Sequence, residues 1–316
     1  MHRRNALVVA AVVASSLFLV GGCNAGGAQA GKFYIVGMGT APDLITVRAV
    51  NTLKKADIIV LSDPAGKEDW KQYIGNKEVW ILPRFACVFM GVNPDTLTDQ
   101  ESKKTALQNA KDRQEMVDRI AAAVHKGKVV CSLENGDPMM YGVTFYLEAM
   151  PKDIPSEVIP AVGAFESAAA AVKMSTPYGW DTNSVILTMS DWQGRADTND
   201  KLMETQTSMV FYTMHLDYPK LFDQLKKHYP ANTPVAIVVY AGDPVRQRVI
   251  RTTIENFFKD VNLKEIPLDK HMLLVGKFLT AGQARKDGLE AGRRFIEMMR
   301  FGNRPGTNTT TQPAAK

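Results

Sequence analysis

Residues that hold metals or form covalent intermediates are scarce in this sequence. Among its 316 residues there are three cysteines and five histidines, and none of them has the CxxC or HxxxH spacing of a zinc site. The GxSxG turn that presents a nucleophilic serine is missing as well. We therefore expect no metal centre and no acyl-transfer triad built on that turn.

The phosphate-binding signatures of common nucleotide-binding proteins are also missing. Gly37 and Gly39 follow the first strand-like run, but Pro42 stands where the GxGxxG fingerprint requires its third glycine, and there is no Walker pattern. These absences argue against a classical NAD site and against P-loop chemistry. Two glycines at the end of a strand still allow a sharp turn and a close approach of the backbone to a ligand.

The charge of the chain shows no large excess of either sign. The formal net charge is +5, and it falls to +3 if Arg3 and Arg4 are removed with an N-terminal signal segment. Because nucleic-acid binding depends on clustered Lys and Arg, and the sequence has no such stripe, we expect no nucleic-acid partner.

The sequence begins with an apolar run that is too short to span a bilayer. The run from Ala6 to Val20 has fifteen residues, which at about 1.5 Å each fall short of the roughly 30 Å hydrocarbon core. It follows Arg3 and Arg4, as the apolar part of a signal peptide follows its positive region. We therefore expect residues 1–22 to be a signal peptide and not a permanent membrane span.

The expected signal peptide runs into Gly21-Gly22-Cys23, which has the form of a bacterial lipobox. This predicts lipidation of Cys23, a flexible tether over residues 23–31, and a location at the periplasmic face of a bacterial membrane. Asn24, in place of aspartate, favours the outer membrane. Two alternatives stay open: an ordinary secretory signal in which Cys23 stands by chance, and a misassigned start site in a cytoplasmic protein.

Apolar runs and amphipathic stretches alternate along the chain, which predicts an α/β fold of two domains with a cleft between them. A break at residues 151–155 divides residues 32–150, with a mainly parallel sheet, from residues 151–301, with a mixed sheet. Residues 302–316 are expected to be a disordered tail. The predicted strands are residues 33–36, 57–61, 78–82, 128–133, 184–189, 208–213, 234–240, 247–253 and 272–276, and the predicted helices are residues 43–54, 105–126, 141–150, 164–173 and 218–228.

Two cysteines remain after Cys23. Cys87 and Cys131 could form a disulfide in an oxidising compartment. Cys131 lies inside an apolar strand-like run, however, where a buried free thiol is the usual state.

The tripeptide Gly-Asp-Pro occurs twice. Its first copy, residues 136–138, follows a predicted strand, and in open α/β sheets ligands sit beyond the carboxyl ends of strands. The loop is either a ligand site or a tight turn in which Asp137 caps the next helix. The second copy, residues 242–244, is interpreted as mostly a turn.

Several short motifs, in one order, resemble the tetrapyrrole (corrin/porphyrin) methylases. The resemblance covers residues 32–278. Its segments are a glycine loop ending in a Leu-Ile-Thr stretch (35–46), an RA…L…AD junction (48–57), the Gly-Asp-Pro loop with its following Tyr-Gly (136–142), a small-residue segment after Pro160, a strand–Tyr–Met element (210–214) and a TPVA strand (233–238).

The resemblance implies S-adenosylmethionine bound between the two domains and methyl transfer to a tetrapyrrole or another small-molecule acceptor. It also implies a possible homodimer. By this resemblance the methionine end of the cofactor lies at Gly136, Asp137 and Pro138, the adenosine lies near Tyr141, Met214 and Ala241, and the acceptor faces Gly37, Gly39 and Asp43.

The glycine loop is one residue shorter than in many family members and leaves Asp43 as the candidate base. Export would also take the protein to a compartment where S-adenosylmethionine is not known to be supplied. The alternative function is therefore that of an exported, non-catalytic lipoprotein that keeps the fold to bind a tetrapyrrole or a partner.

Overall fold

The computed structural model describes residues 31–83, 86–142, 145–177, 184–192, 194–214, 216–280 and 288–301. The expected signal peptide, the lipidation site Cys23 and the tail 302–316 lie outside these residues. Two five-stranded sheets, each covered by helices, form the described part of the chain. This confirms the predicted α/β class.

The first sheet is parallel throughout, in the order β3-β2-β4-β1-β5. Its continuous apolar strands are typical of a sheet buried on both faces. The elements of this half are β1 (Lys32–Gly37), α1 (Val47–Lys55), β2 (Ile58–Leu61), α2 (Gly66–Asp69), α3 (Lys71–Ile74), β3 (Glu78–Ile81), α4 (Gln100–His125), β4 (Val129–Glu134), α5 (Phe145–Ala149) and β5 (Ser156–Ile159), with short 3₁₀ helices at Pro42–Leu44 and Pro94–Thr96.

Alternate side chains of β1 and β4 pack into two separate cores. Phe33 and Val130 contact α4 and α5 on one face, whereas Val36 and Cys131 contact α1 and α3 on the other. This alternation fixes which face of the sheet each later residue of a strand points to.

Two helices begin at other residues than the sequence pattern predicts. The helix predicted from residue 43 begins at Val47, because Ile45 is extended and the Thr46 hydroxyl caps the Ala49 amide. The helix predicted from residue 105 begins at Gln100, because Asp99 accepts hydrogen bonds from two backbone amides of the first turn.

The second sheet is mixed, in the order β6-β7-β10-β8-β9, as predicted. β6 and β7 are parallel, and the other pairs are antiparallel. Helix α6 covers one face, while α7, α8 and α9 cover the other. The elements are α6 (Ala164–Val172), β6 (Val185–Thr188), α7 (Asn199–Met203), β7 (Ser208–Tyr212), α8 (Tyr218–His228), β8 (Pro234–Val239), β9 (Arg248–Thr253), α9 (Phe257–Asp260), β10 (His271–Val275) and α10 (Gly288–Phe301), with 3₁₀ helices at Leu263–Glu265 and Lys277–Leu279.

The boundary between the two sheets differs from the predicted domain boundary. The sequence places residues 151–301 in the second domain, but β5 pairs with β1 as the edge strand of the first sheet. The first lobe therefore extends to Ile159, and the second begins with α6. The Pro-rich break at residues 151–155 is a connection within the first lobe.

Cys87 and Cys131 are both free thiols. Cys131 points into the core beneath α1 and α3. Cys87 is close enough to Glu134 and Tyr146 to interact electrostatically with both, and Tyr146 belongs to the core on the opposite face of the sheet. Because the two thiols lie on different faces, this fold does not bring them together. No helix within the described ranges is long and apolar enough to cross a membrane.

Candidate active site

The two loops singled out in the first half of the sequence touch each other. Gly39, after β1, and Gly136, after β4, form an isolated antiparallel bridge. The Gly136 amide donates to the Gly39 carbonyl at 2.9 Å, and the Gly39 amide donates to the Gly136 carbonyl at 3.4 Å. Because β1 and β4 are parallel neighbours, both loops lie at the carboxyl edge of the sheet, where open α/β folds bind ligands.

Both glycines of the first loop are required by close contacts. Gly39 has a φ of +78°, and a side-chain carbon there would lie 2.6 Å from the Leu44 carbonyl oxygen. A side-chain carbon at Gly37 would lie 2.7 Å from the Ala161 methyl group and 2.8 Å from Cδ of Pro138. The Gly-Asp-Pro loop and the Ala161 segment therefore close directly over the end of β1.

Gly136 differs from Gly37 and Gly39 because nothing would crowd a side-chain carbon there. Its φ is +70°, and although the residue is buried, such a carbon would have no heavy atom closer than 3.9 Å. The positive φ favours glycine at this position, and its nearest neighbours are Gly163 and Ala164 at the start of α6.

The Asp137 carboxylate holds two loops together. One of its oxygens accepts a hydrogen bond from the Met139 amide at 2.9 Å, and the other accepts from the Ala161 amide at 3.0 Å. The first bond closes the turn, and the second ties this loop to the segment that leads into α6. Asp137 therefore shapes the loop whether the loop is a ligand site or only a tight turn.

The two lobes meet beside these loops. The hydroxyl groups of Thr40 in the first lobe and Ser167 in the second lie 2.7 Å apart. Gly242, with a φ of +86°, approaches the same pair so closely that a side-chain carbon there would clash with Thr40 and lie 2.6 Å from Cδ1 of Leu44. The second Gly-Asp-Pro copy is a turn, and its glycine permits this contact between the lobes.

Two tyrosines form a second contact across the junction. Tyr141, with a φ of +57°, places its ring 4.7 Å from that of Tyr212, which lies at the end of β7. The Tyr141 hydroxyl donates to the Leu187 carbonyl at 3.5 Å. Burial raises the pKa of both phenols, so both remain neutral donors at physiological pH.

The Tyr212 hydroxyl is buried and makes no hydrogen bond of normal geometry within the described residues, although the Phe165 backbone lies close enough to lower its pKa. A buried hydroxyl without a good hydrogen bond costs free energy, and a ligand bound at the junction would satisfy it. In the sequence, Tyr212 stands out only as part of the strand–Tyr–Met motif. The alternation of side chains along β7 predicts that Tyr212 faces α6, but it does not reveal that the hydroxyl is unpaired.

The other predicted residues occupy less defined positions. Met214 follows β7, and its carbonyl accepts a hydrogen bond from the Ser190 hydroxyl at 3.5 Å. Ala241 is half-buried next to Gly242 and packs against the core beneath α6. Asp43 is exposed in the 3₁₀ helix that follows the glycine loop. Their roles in binding stay predictions.

Sequence reasoning missed Glu134, the last residue of β4. The residue is 9% exposed, and its carboxyl group accepts a hydrogen bond from the Ser132 hydroxyl at 3.0 Å. Burial raises the pKa of Glu134 to about 7. The sequence did offer a signal for this residue. Glu134 is a carboxylate at the end of a mainly apolar strand, just before the Gly-Asp-Pro loop.

These features define a junction between two α/β lobes, at which the two loops of the first lobe meet a buried hydroxyl of the second. The polar groups at this junction include backbone amides and carbonyls, neutral hydroxyls and the Asp137 carboxylate. Such a set suits a ligand that combines a zwitterionic end with a nucleoside, as S-adenosylmethionine does.

Comparisons with known proteins agree with this class. Residues 32–257 match the family described as tetrapyrrole (corrin/porphyrin) methylases. The chain is 25% identical over 232 residues to a cobalt-precorrin-4 C(11)-methyltransferase of Priestia megaterium, which covers 71% of this chain and 80% of that protein.

Two solved structures share the fold. A cobalt precorrin-4 methyltransferase superposes with a TM-score of 0.62 at 23% identity, over 79% of this chain and 96% of the other. A uroporphyrin-III C-methyltransferase from Thermus thermophilus, in complex with S-adenosylhomocysteine, superposes with a TM-score of 0.54 at 17% identity, over 78% and 98%.

The chain belongs to the tetrapyrrole methylases. This confirms the family predicted from the sequence, together with the methyltransferase type and the S-adenosylmethionine cofactor that the family implies.

Proposed function

We propose that the protein transfers a methyl group from S-adenosylmethionine to a ring carbon of a tetrapyrrole bound in the crevice between its lobes. The observation that carries this proposal is the Gly39–Gly136 bridge, because it joins the loop expected to face the acceptor to the loop expected to hold the cofactor. The names of the relatives supply the acceptor class: they are methyltransferases of precorrins and of uroporphyrinogen III.

The residues that would hold the cofactor come from both lobes. The backbone at Gly136, shaped by Asp137 and Pro138, would contact the methionine end, and the Tyr212 hydroxyl would form a hydrogen bond to it or to the ribose. Tyr141, Met214 and Ala241 would surround the adenosine. When bound, S-adenosylmethionine supplies a methyl group that its positive sulfur has already activated.

The protein's part in the reaction is then mainly to position the methyl donor and the acceptor and to exclude water. The Thr40–Ser167 contact and the packing of Tyr141 against Tyr212 join the lobes on either side of the Gly-Asp-Pro loop. Holding donor and acceptor in line in this way removes much of the entropic barrier to their reaction. The absence of a side chain at Gly37 lets Pro138 of the cofactor loop pack against the end of β1.

A substitution at Gly136 tests this assignment. Gly136→Ala adds a methyl group beside the proposed methionine end of the cofactor, so we expect it to weaken S-adenosylmethionine binding by roughly tenfold or more while the protein stays folded. Gly91→Ala is the matched control: its φ of +74° is close to the +70° of Gly136, and no heavy atom lies within 4 Å of the added carbon. Because both variants place alanine at nearly the same positive φ, a difference in affinity between them reports the ligand.

Calorimetry on a fragment that begins at residue 31 measures the affinity, and transfer of a labelled methyl group to uroporphyrinogen III measures the reaction. We expect micromolar binding of S-adenosylmethionine by the unmodified fragment. If the fragment bound a tetrapyrrole but not S-adenosylmethionine, the enzymatic proposal would be wrong.

We further propose that the mature protein is exported and anchored by a lipid on Cys23 at the periplasmic face of a bacterial membrane. The support is the sequence alone: the Arg3-Arg4 pair, the apolar run and the Gly21-Gly22-Cys23 motif. Palmitate labelling that disappears in Cys23→Ala is the expected result. Labelling of neither variant, with the full-length chain in the cytoplasm, would contradict it. Homodimer formation stays a prediction, which sedimentation velocity can test.

A further inference from the structure

The side chain of Glu134 lies on the same face of the first sheet as the closed end of the acceptor loop. Glu134 is in register with Gly37 on the neighbouring parallel strand, and the Met38 amide donates to the Glu134 carbonyl at 2.9 Å. Registered residues on neighbouring strands point to the same face of a sheet. A side-chain carbon at Gly37 would meet Pro138 and Ala161, so Glu134 lies on the face that these two residues cover.

The surroundings of Glu134 provide little compensation for a negative charge. Ser132 is its hydrogen-bond partner, and no lysine or arginine among the described residues forms an ion pair with it. Within the part of the chain that the structure describes, the titratable groups that interact with it are the Tyr146 phenol and the Cys87 thiol. Burial raises the pKa of both groups, and the charge of Glu134 raises it further. Arg113, which donates to the Ala86 carbonyl, lowers the pKa of Cys87.

The other carboxylates near the junction are less suited to react with an acceptor. Asp137 accepts two backbone amides, and Asp243 binds Arg246 and the amides of its own turn. Asp43 is exposed to solvent, and so is Glu166, which lies near Tyr212. Glu134 combines burial, a position next to both loops and a pKa of about 7, which suits proton transfer at neutral pH.

We propose that Glu134, and not Asp43, is the catalytic residue that accepts the proton released by the tetrapyrrole when its ring carbon is methylated. This inference rests on the proposed function and adds a group that the family resemblance did not supply.

In the methyl transfer, the ring carbon forms a bond to the methyl group, and the methyl–sulfur bond breaks with its electron pair remaining on sulfur. The positive charge of the donor therefore passes to the tetrapyrrole. The tetrapyrrole loses this charge by releasing a proton from a pyrrole nitrogen or from a ring carbon. The Glu134 carboxylate takes up the proton and becomes a neutral carboxylic acid, which its buried surroundings favour.

The experiment compares Glu134→Gln with Glu148→Gln, which removes an exposed charge from α5 in the same lobe. Calorimetry with S-adenosylmethionine should give affinities within about twofold of the unmodified protein for both variants, since neither residue is assigned to the cofactor. Infrared difference spectra across the pH range around 7 should show a titrating carboxyl band that is absent only from Glu134→Gln. Adding uroporphyrinogen III should shift that band, because the carboxyl group touches the acceptor.

Single-turnover methylation of uroporphyrinogen III should fall by roughly a hundredfold or more in Glu134→Gln, and its pH profile should lose the ionisation near 7. Glu134→Asp, which keeps an ionisable group, should recover part of the rate.

A carboxyl band that does not respond to bound tetrapyrrole, or a Glu134→Gln variant with unchanged rate and pH profile, would overturn the assignment while leaving the methyltransferase proposal intact. Failure of the unmodified protein to bind S-adenosylmethionine would instead contradict the proposed function, and this inference with it.

Discussion

Gly39 and Gly136 exchange two backbone hydrogen bonds, although 97 positions separate them in the chain. Both have a positive φ, but only Gly39 is crowded, by the carbonyl group of Leu44. The bridge therefore joins one position that tolerates no side chain for steric reasons to another where a side-chain carbon would make only ordinary contacts.

This difference predicts unequal effects on stability. Gly39→Ala should lower the free energy of unfolding by about 2–4 kcal/mol, because the backbone strain of a left-handed alanine is added to a clash with backbone atoms. Gly136→Ala should lower the free energy of unfolding only by the backbone strain of a left-handed alanine, about 1–2 kcal/mol. Urea denaturation of both variants measures the difference, and equal costs would show that the contact with Leu44 is relieved by movement of the loop.

Asp137 should be essential to the shape of the cofactor loop. In Asp137→Ala the amides of Met139 and Ala161 lose their acceptor, and each unpaired amide costs about 1–3 kcal/mol. We expect the affinity for S-adenosylmethionine to fall at least tenfold, measured by calorimetry, with the protein still folded.

Asp243→Ala is the comparison for that experiment, since Asp243 caps only its own turn and pairs with Arg246. It should leave the affinity within about twofold, because no second loop depends on it. If both variants lost affinity equally, a general loss of stability and not the Asp137–Ala161 connection would be the cause.

The Tyr212 hydroxyl should destabilise the ligand-free protein and strengthen the binding of S-adenosylmethionine. Tyr212→Phe removes a buried hydroxyl without a partner, so the ligand-free protein should gain about 1 kcal/mol in its free energy of unfolding. The affinity for S-adenosylmethionine should fall by a factor of about 2–10, the value of one hydrogen bond.

Tyr229→Phe provides the opposite control, because the Tyr229 hydroxyl donates to the Thr207 carbonyl at 2.7 Å. This variant should be less stable and should bind the cofactor normally. Thermal melts with and without ligand, run on both variants, separate the two effects. A Tyr212→Phe protein that is destabilised would show that the hydroxyl already has a partner.

Glu134 makes the stability of the protein depend on pH. Burial raises its folded pKa to about 7, above the unfolded value near 4.5, so its contribution is fully present below pH 4.5 and is lost as the pH rises through 7. Glu134→Gln should therefore be more stable than the unmodified protein at pH 8, by on the order of 2–3 kcal/mol, and equal to it near pH 4.5. Denaturation at both pH values checks the sign.

His271 should make the stability of the protein depend on pH in the opposite direction. Burial lowers its pKa below 6.5, and its ring nitrogens contact the Tyr218 hydroxyl at 2.5 Å and the Pro267 carbonyl at 2.7 Å. Its contribution to stability is present above pH 6.5 and is lost as the pH falls through the lower folded pKa, because the unfolded chain takes up the proton first. The free energy of unfolding of Glu134→Gln should therefore decline below pH 6.5, and His271→Gln added to that variant should remove the decline.

The sequence by itself determined the elements that depend on local pattern and capping. Helix α8 occupies the predicted residues, because Asp217 caps its first turn, Pro219 suits that turn and apolar residues recur at helical spacing. The motif order also determined the family, since short motifs in register carry that information without any contact being known.

Only the tertiary structure decided which distant segments meet. β5 follows a proline-rich break, yet its backbone groups pair with β1, because an edge of the parallel sheet remains free there. The positions of Glu134 beneath the closed loops and of the unpaired Tyr212 hydroxyl at the junction depend on the packing of several chain segments. Periodicity describes which face of an element is apolar, but not which partner covers that face, and the chemistry of this site depends on the partner.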